Sequence, residues 1–244
     1  MRIQIVNPNT TVSMTEKIAV AAKAVAAPGT EIVAATSKSG PASIEGHFDG
    51  AMAVPGLLAE IARGEREGVD AHVIACFDDT GLDAARSLAR APVIGIGEAA
   101  FHLGTIVSER FTVVTTLSCS VPILQSNLFR YGFDRRCARV RAAEVPVLSL
   151  EEEGSPARQR IADEIAAALA EDHCDAIVLG CAGMADLCAF YAEKFGVPVI
   201  EGVSAAVKLA EGTVALGLGT SKSGGWAPPI AKRYDGLAAR FLEE

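Results

Sequence analysis

Short apolar runs and helix-period stretches alternate along this chain. Ile3-Gln4-Ile5-Val6 reads as a buried strand that stops at Asn7-Pro8-Asn9. Beyond it, Met14, Ile18, Ala21 and Val25 recur at helical spacing until Pro28-Gly29, and Ser13 followed by Glu16 predicts a capping box at the helix start. Glu31 to Ala35 predicts a second strand and Ala51 to Arg63 a second helix. His72-Val73-Ile74-Ala75 predicts a third strand, which runs directly into Cys76. Such alternation implies parallel sheets with helices on both faces. No linker rich in Gly, Pro or Ser divides the chain.

The pattern also repeats. D-A-H-V-I-A-C at 70–76 lines up with D-A-I-V-L-G-C at 175–181, an offset of 105 residues, and Leu82 pairs with Leu187 at the same offset. A-P-V-I at 91–94 pairs with V-P-V-I at 197–200, and R-I-Q-I-V-N at 2–7 resembles R-F-T-V-V-T at 110–115. These offsets are coherent over most of the chain. They predict two α/β lobes of one design, 1–100 and 101–206, with parallel-sheet cores related by a pseudo-twofold axis and a cleft between them. The remainder, 207–244, with a helical stretch from Ile230 to Leu242, is expected to pack back on the first lobe.

Composition narrows the function classes. Of 244 residues, 50% are hydrophobic, and 22 Lys plus Arg stand against 30 Asp plus Glu for a formal charge of −8. A chain this apolar is globular. An acidic chain with no basic cluster is a poor partner for nucleic acid or an anionic membrane. The N-terminal apolar run is too short for a secretion signal, so cytoplasmic residence is the expectation. Six cysteines at 76, 119, 137, 174, 181 and 188 then read as thiols, metal ligands or catalytic groups rather than disulfides.

The repeat singles out two of the six. Cys76 and Cys181 each follow a short apolar strand and precede small residues and a helix. Ligands of open α/β sheets bind beyond the carboxyl ends of the strands, so two facing lobes would aim both thiols into one cleft. Helix starts there would suit a developing enolate oxygen and draw a thiol pKa from about 8.5 towards neutrality. Two opposed thiols are what a two-base racemase needs: one thiolate removes a proton, and the other thiol returns one on the opposite face. Cys119, Cys137, Cys174 and Cys188 read as small core hydrophobes. Cys174, Cys181 and Cys188 recur every seven residues, but the break at Gly180 keeps them off one helix face and no C-x-x-C is present, so no metal is expected. Gly95-x-Gly97-x-x-Ala100 lacks the acidic residue about 20 positions on that a dinucleotide site needs, and predicts a tight strand–helix turn. The Gly-rich stretch at 217–225 reads as a loop reaching the cleft or a partner subunit.

N-P-N-T at 7–10, S-I-E-G at 43–46, V-I-A-C-F-D-D-T-G-L at 73–82 and V-L-G-C-A-G-M-A-D-L at 178–187 resemble the Asp/Glu/hydantoin racemase superfamily. A-V-P-G-L-L-A-E-I at 53–61 and G-V-P-V-I-E-G-V at 196–203 bring the likeness closest to its hydantoin racemases, over nearly all of the chain. The resemblance implies racemisation of 5-monosubstituted hydantoins without a cofactor, with Cys76 and Cys181 as the acid/base pair. Allantoin is the nearest alternative substrate; aspartate or glutamate racemisation and an arylmalonate-type decarboxylation are more distant ones. It also implies that Asn7 and Asn9 border the ligand, with Thr115 and Thr116 in the corresponding loop of the second lobe. Phe77, Asp78, Asp79 and the backbone of Gly180, Ala182 and Gly183 would flank the thiols, and Ile44 would wall a side-chain pocket together with Phe77 and Val121. Thr80 stands where such racemases often carry proline, which is expected to loosen the turn. The family implies a homo-oligomer, with Trp226-Ala-Pro-Pro as an apolar contact.

Overall fold

The computed structural model describes residues 1–152 and 154–235. Two four-stranded, all-parallel sheets account for the predicted alternation. The first is ordered β2-β1-β3-β4, from β1 (Arg2–Asn7), β2 (Glu31–Thr36), β3 (Ala71–Ile74) and β4 (Val93–Gly95). The second is ordered β6-β5-β7-β8, from β5 (Phe111–Thr115), β6 (Cys137–Ala142), β7 (Ala176–Gly180) and β8 (Val199–Glu201). The sheets share one topology, as the repeat predicts. Register follows it: Ile3 lies opposite Ala71 in one sheet, and Phe111 opposite Ala176 in the other. The central strands are buried on both faces, which explains their nearly continuous apolar runs.

Helices α1 (Val12–Val25), α2 (His47–Arg66), α3 (Leu82–Leu88), α4 (Ile96–Val107), α5 (Val121–Tyr131), α6 (Ala157–Glu171), α7 (Cys188–Phe195) and α8 (Gly202–Ala215) form the crossovers and flanks. Two of them change sides. α4 leaves the first sheet and packs on β7 and β8 of the second, while α8 leaves the second sheet and packs on β3 and β4 of the first. They cross each other closely: a Cβ on Gly202 would lie 2.4 Å from the Ile96 carbonyl oxygen. The main core is therefore continuous across both lobes, running from Ile5 and Val73 through Phe101 and Val203 to Phe111 and Val178. Phe101 is its centre, with Phe77 edge-on at 5.5 Å and Phe111 stacked at 5.9 Å between ring centroids.

Local expectations fail in several places, among them Cys119, which is exposed rather than a core residue. The capping box is absent: α1 begins at Val12, so Ser13 already sits inside the first turn. The Asn9 side chain takes over part of that work, its Oδ1 accepting the Thr11 N–H at 2.9 Å. The second helix starts four residues earlier than its periodicity suggests, at His47, and carries Pro55 within it. The terminal helix is not found over Ile230–Asp235, and its continuation from 236 to 242 lies outside the described residues. The Gly-rich stretch runs along the first lobe instead of reaching the cleft. Thr220 bonds the carbonyls of Arg90 and Ala91, and Trp226 lies over the Arg86 guanidinium at 4.9 Å while donating to Asp83. Trp226 is thus engaged within its own chain.

Candidate functional site

One pocket lies at the carboxyl ends of the central strands of both sheets. β3 delivers Cys76, and β7 delivers Gly180 and Cys181; Asn9 follows β1, and Thr115 and Thr116 close β5. Phe77, Asp78, Ala182 and Ile44 also line it. The wall also includes Pro8 and Ala75 from two of the quoted motifs, and Met14, Ser120 and Val147, which belong to none. Val147 arrives from a distant segment because its N–H donates to Glu45 Oε1 at 2.9 Å, a bond spanning 102 residues. Val121 packs against the core and does not line the pocket.

Three residues expected at the ligand stand behind the wall. Asn7 is fully buried, and its amide donates to Asn9 Oδ1 at 2.8 Å, Thr11 O at 3.1 Å and Thr15 Oγ1 at 3.0 Å. It holds the loop that presents Asn9. Asp79 is also buried, with a φ of 51°. Its carboxylate accepts N–H bonds from Gly97 at 2.9 Å and Glu98 at 2.8 Å, and the Tyr131 hydroxyl donates to it at 2.9 Å. Asp79 therefore caps α4, an acidic group at a helix N-terminus. A side chain at Gly95 or Gly97 would collide with that carboxylate, so the glycine spacing is a strand–helix turn shaped around Asp79. Gly183 lies beside the Cys181 sulfur, which would be 3.7 Å from a Cβ built there, and its N–H opposes the rise of that thiol.

Each thiol has its own surroundings. Cys76 Sγ lies 3.3 Å from Thr80 Oγ1. Thr80 is thus a partner of the thiol, and its hydroxyl ties the turn rather than loosening it. Gly180 lets β7 approach β5 closely, because a Cβ there would lie 2.8 Å from that of Thr115. Thr115 Oγ1 donates to the Gly180 carbonyl at 2.9 Å, holding the strand end just before Cys181.

Electrostatics overturn one expectation. Burial pushes the Cys181 thiol up to about 12 despite the Gly183 N–H, with the carboxylates of Asp78, Glu151 and Glu45 adding to the rise. Burial and the Asp78 charge push Cys76 higher still, against the Thr80 hydroxyl and the Asp78 N–H. Helix ends do not bring either thiol towards neutrality, because desolvation of the thiolate outweighs the few dipoles that reach it. Asp78 is itself raised by burial to about 6, a rise the Ser120 hydroxyl opposes. Among the described residues lining the pocket there is no Lys, Arg or His. The pocket brings two protonatable sulfurs together, and among its described lining residues none offers a cation to a carboxylate.

Comparisons with known proteins agree with this layout. The family model for Asp/Glu/Hydantoin racemase matches residues 3–210. A hydantoin racemase from Rhizobium meliloti is 50% identical over 97% of this chain and 98% of its own length. A hydantoin racemase from Pseudomonas sp. (strain NS671) is 43% identical over 99% and 97%. Among solved structures, an allantoin racemase from Klebsiella pneumoniae superposes with a TM-score of 0.96 at 51% identity, covering 99% of this chain and 98% of that one.

Proposed function

The chain belongs to the Asp/Glu/hydantoin racemase family, and from that premise we propose that it racemises 5-monosubstituted hydantoins by proton transfer between Cys76 and Cys181. It is an isomerase, a racemase. The observation that carries the finer reading is that two matched strands, one per lobe, bring these two thiols to one pocket. One sulfur, as thiolate, removes the C5 proton; charge moves onto the adjacent carbonyl oxygen; the other thiol then protonates C5 on the opposite face. A thiolate whose conjugate acid is raised by burial is scarce at neutral pH but strongly basic, which suits removal of a weakly acidic carbon-bound proton.

The pocket's composition supports a neutral ring. Asn9 offers an amide whose N–H group otherwise meets only Met14 Sδ at 3.5 Å, so it can serve an imide oxygen. Free aspartate or glutamate would bring carboxylates to a site that has Asp78 and no lining cation. Met14, Ile44, Phe77 and Val147 form the apolar part of the wall and suit an apolar 5-substituent. Allantoin is the second reading, favoured by the closeness of the allantoin racemase structure and by Thr116 and Ser120 on the polar wall.

Around this site the reading extends to setting and assembly. Six free thiols fit a reducing cytoplasm. The exposed Val12 and Val20 of α1 adjoin an apolar groove lined by Val25, Leu103 and Ala189, a surface suited to a second copy of the chain. The decisive experiment follows optical rotation with L-5-substituted hydantoins of graded side chain and with allantoin. Loss of rotation with the apolar hydantoins, and none by Cys76→Ala or Cys181→Ala, is expected. Full racemisation by either variant would overturn the two-thiol assignment, and a marked preference for allantoin would reverse the order of substrates.

A further inference from the structure

The two thiol turns are held in different ways. Asp78 stands two residues after Cys76 in a turn closed by the Asp79 N–H to the Cys76 carbonyl at 3.0 Å, and its own carbonyl accepts from Asn127 Nδ2 of α5 at 2.9 Å. Ser120, immediately before α5, reaches the Asp78 carboxylate at 3.4 Å, and Tyr131 on the same helix bonds Asp79. The second lobe thus clasps the Cys76 turn through polar bonds. Asn127 is buried and lies outside the pocket wall. On the other side, α1 packs against the turn that follows Cys181. The position 108 residues before Asn127, the offset between β1 and β5, is Ala19. Among the described residues no α1 side chain hydrogen-bonds residues 182–187, and Gly183 is backed by the apolar Leu150 side chain.

We infer that Asn127 is a positioning residue for one thiol only: by anchoring the carbonyl of Asp78 it fixes the turn that presents Cys76 and so controls the proton transfers made by Cys76, not those made by Cys181. This rests on the two-thiol reading above. The physical reason is that proton transfer depends steeply on where the reacting sulfur sits. Without the tether, the turn keeps its Asp79 N–H bond to the Cys76 carbonyl but loses its bond from α5, so Cys76 is held less closely, while the turn after Cys181, which Asn127 does not bond, keeps its place.

The two half-reactions can be read separately in deuterated water. A racemase must convert both enantiomers with equal efficiency, since its equilibrium constant is one, so inversion falls equally from both sides. Exchange of the C5 hydrogen without inversion is not bound by that constraint. The test compares Asn127→Ala and Asn127→Leu with Cys76→Ala and Cys181→Ala, using each enantiomer of 5-isobutylhydantoin and proton NMR of C5–H. Cys76→Ala identifies the enantiomer that Cys76 deprotonates, as the one whose exchange is lost. For that enantiomer the Asn127 variants should exchange about tenfold more slowly, in line with a sub-ångström misplacement of the reacting sulfur. For the other enantiomer, exchange should persist near the parent rate while inversion falls. Equal slowing of exchange for both enantiomers, or no slowing for either, would overturn the assignment. If Asn127→Ala does not fold, Asn127→Leu keeps the volume, removes the N–H donor without adding a charge and gives the same reading. If Cys76→Ala loses exchange with neither enantiomer, the two-thiol reading fails first and takes this inference with it; if Cys76→Ala behaves as expected, only Asn127's role is at stake.

Discussion

Replacing Gly202 by Ala tests whether the crossing of α4 and α8 joins the two lobes. The added Cβ would lie 2.4 Å from the Ile96 carbonyl oxygen, 2.8 Å from its Cβ and 2.9 Å from its carbonyl carbon. Ordinary contact begins near 3.4 Å, so α8 must withdraw from α4 by about 1 Å, and no side-chain rotation relieves a clash with backbone. Overpacking of this kind costs about 1–3 kcal/mol. Alanine's better helix propensity returns a fraction of the roughly 1 kcal/mol it is worth in a helix interior, because Gly202 is the first residue of α8. A net loss of about 1–2 kcal/mol lowers the melting temperature by about 2–8 °C in a chain of this length. Gly212, in the same helix, is the control. A Cβ there meets nothing within 4 Å, so Gly212→Ala should stabilise by about 0.5–1 kcal/mol and raise the melting temperature by about 1–4 °C. Thermal unfolding followed by circular dichroism separates the two. Gly202→Ala melting at or above the parent, or both variants shifting in the same direction, would refute the close-crossing argument.

Two further expectations concern charge. In a Cys119→Ser background, inactivation by iodoacetamide should accelerate about tenfold per pH unit from 7 to 9, because both site thiols are raised above that range and their thiolate fraction is still climbing. A plateau near pH 8 would show a thiol already ionised. Burial pushes the Asp172 carboxyl up, but bonds from Arg141 at 2.6 and 2.7 Å outweigh it and hold it below the usual range. Its folded value is depressed, so its contribution to stability is present above about pH 4 and lost as pH falls through the folded value. Arg141→Met should therefore cost about 2–4 kcal/mol near pH 7, with the gap to the parent closing in melts taken towards pH 3. A gap that stays constant from pH 7 to 3 would count against the pairing.

The duplicated lobes, the parallel strands and the place of Cys76 and Cys181 after two of them were legible in the residues themselves. Strand period, the turn residues that end each strand and the repeat offset are local or directly alignable signals, and in parallel sheets they already say which end of a strand carries the ligand-facing loops. Folding alone decided how those loops are braced. Asn127 bonds Asp78 across 49 residues, Tyr131 bonds Asp79 across 52, and Val147 reaches Glu45 across 102. None of these pairs leaves a periodic trace, because each depends on where whole elements dock. The same holds for the missing capping box, where Asn9 competes for the N–H groups at the start of α1, and for Asp79, which proved to cap α4 rather than face the pocket. The thiols show the division most plainly. Their identity and spacing are written in the chain, but their acidity is a property of the enclosure, since desolvation and the facing carboxylates exist only once both lobes have closed around one pocket.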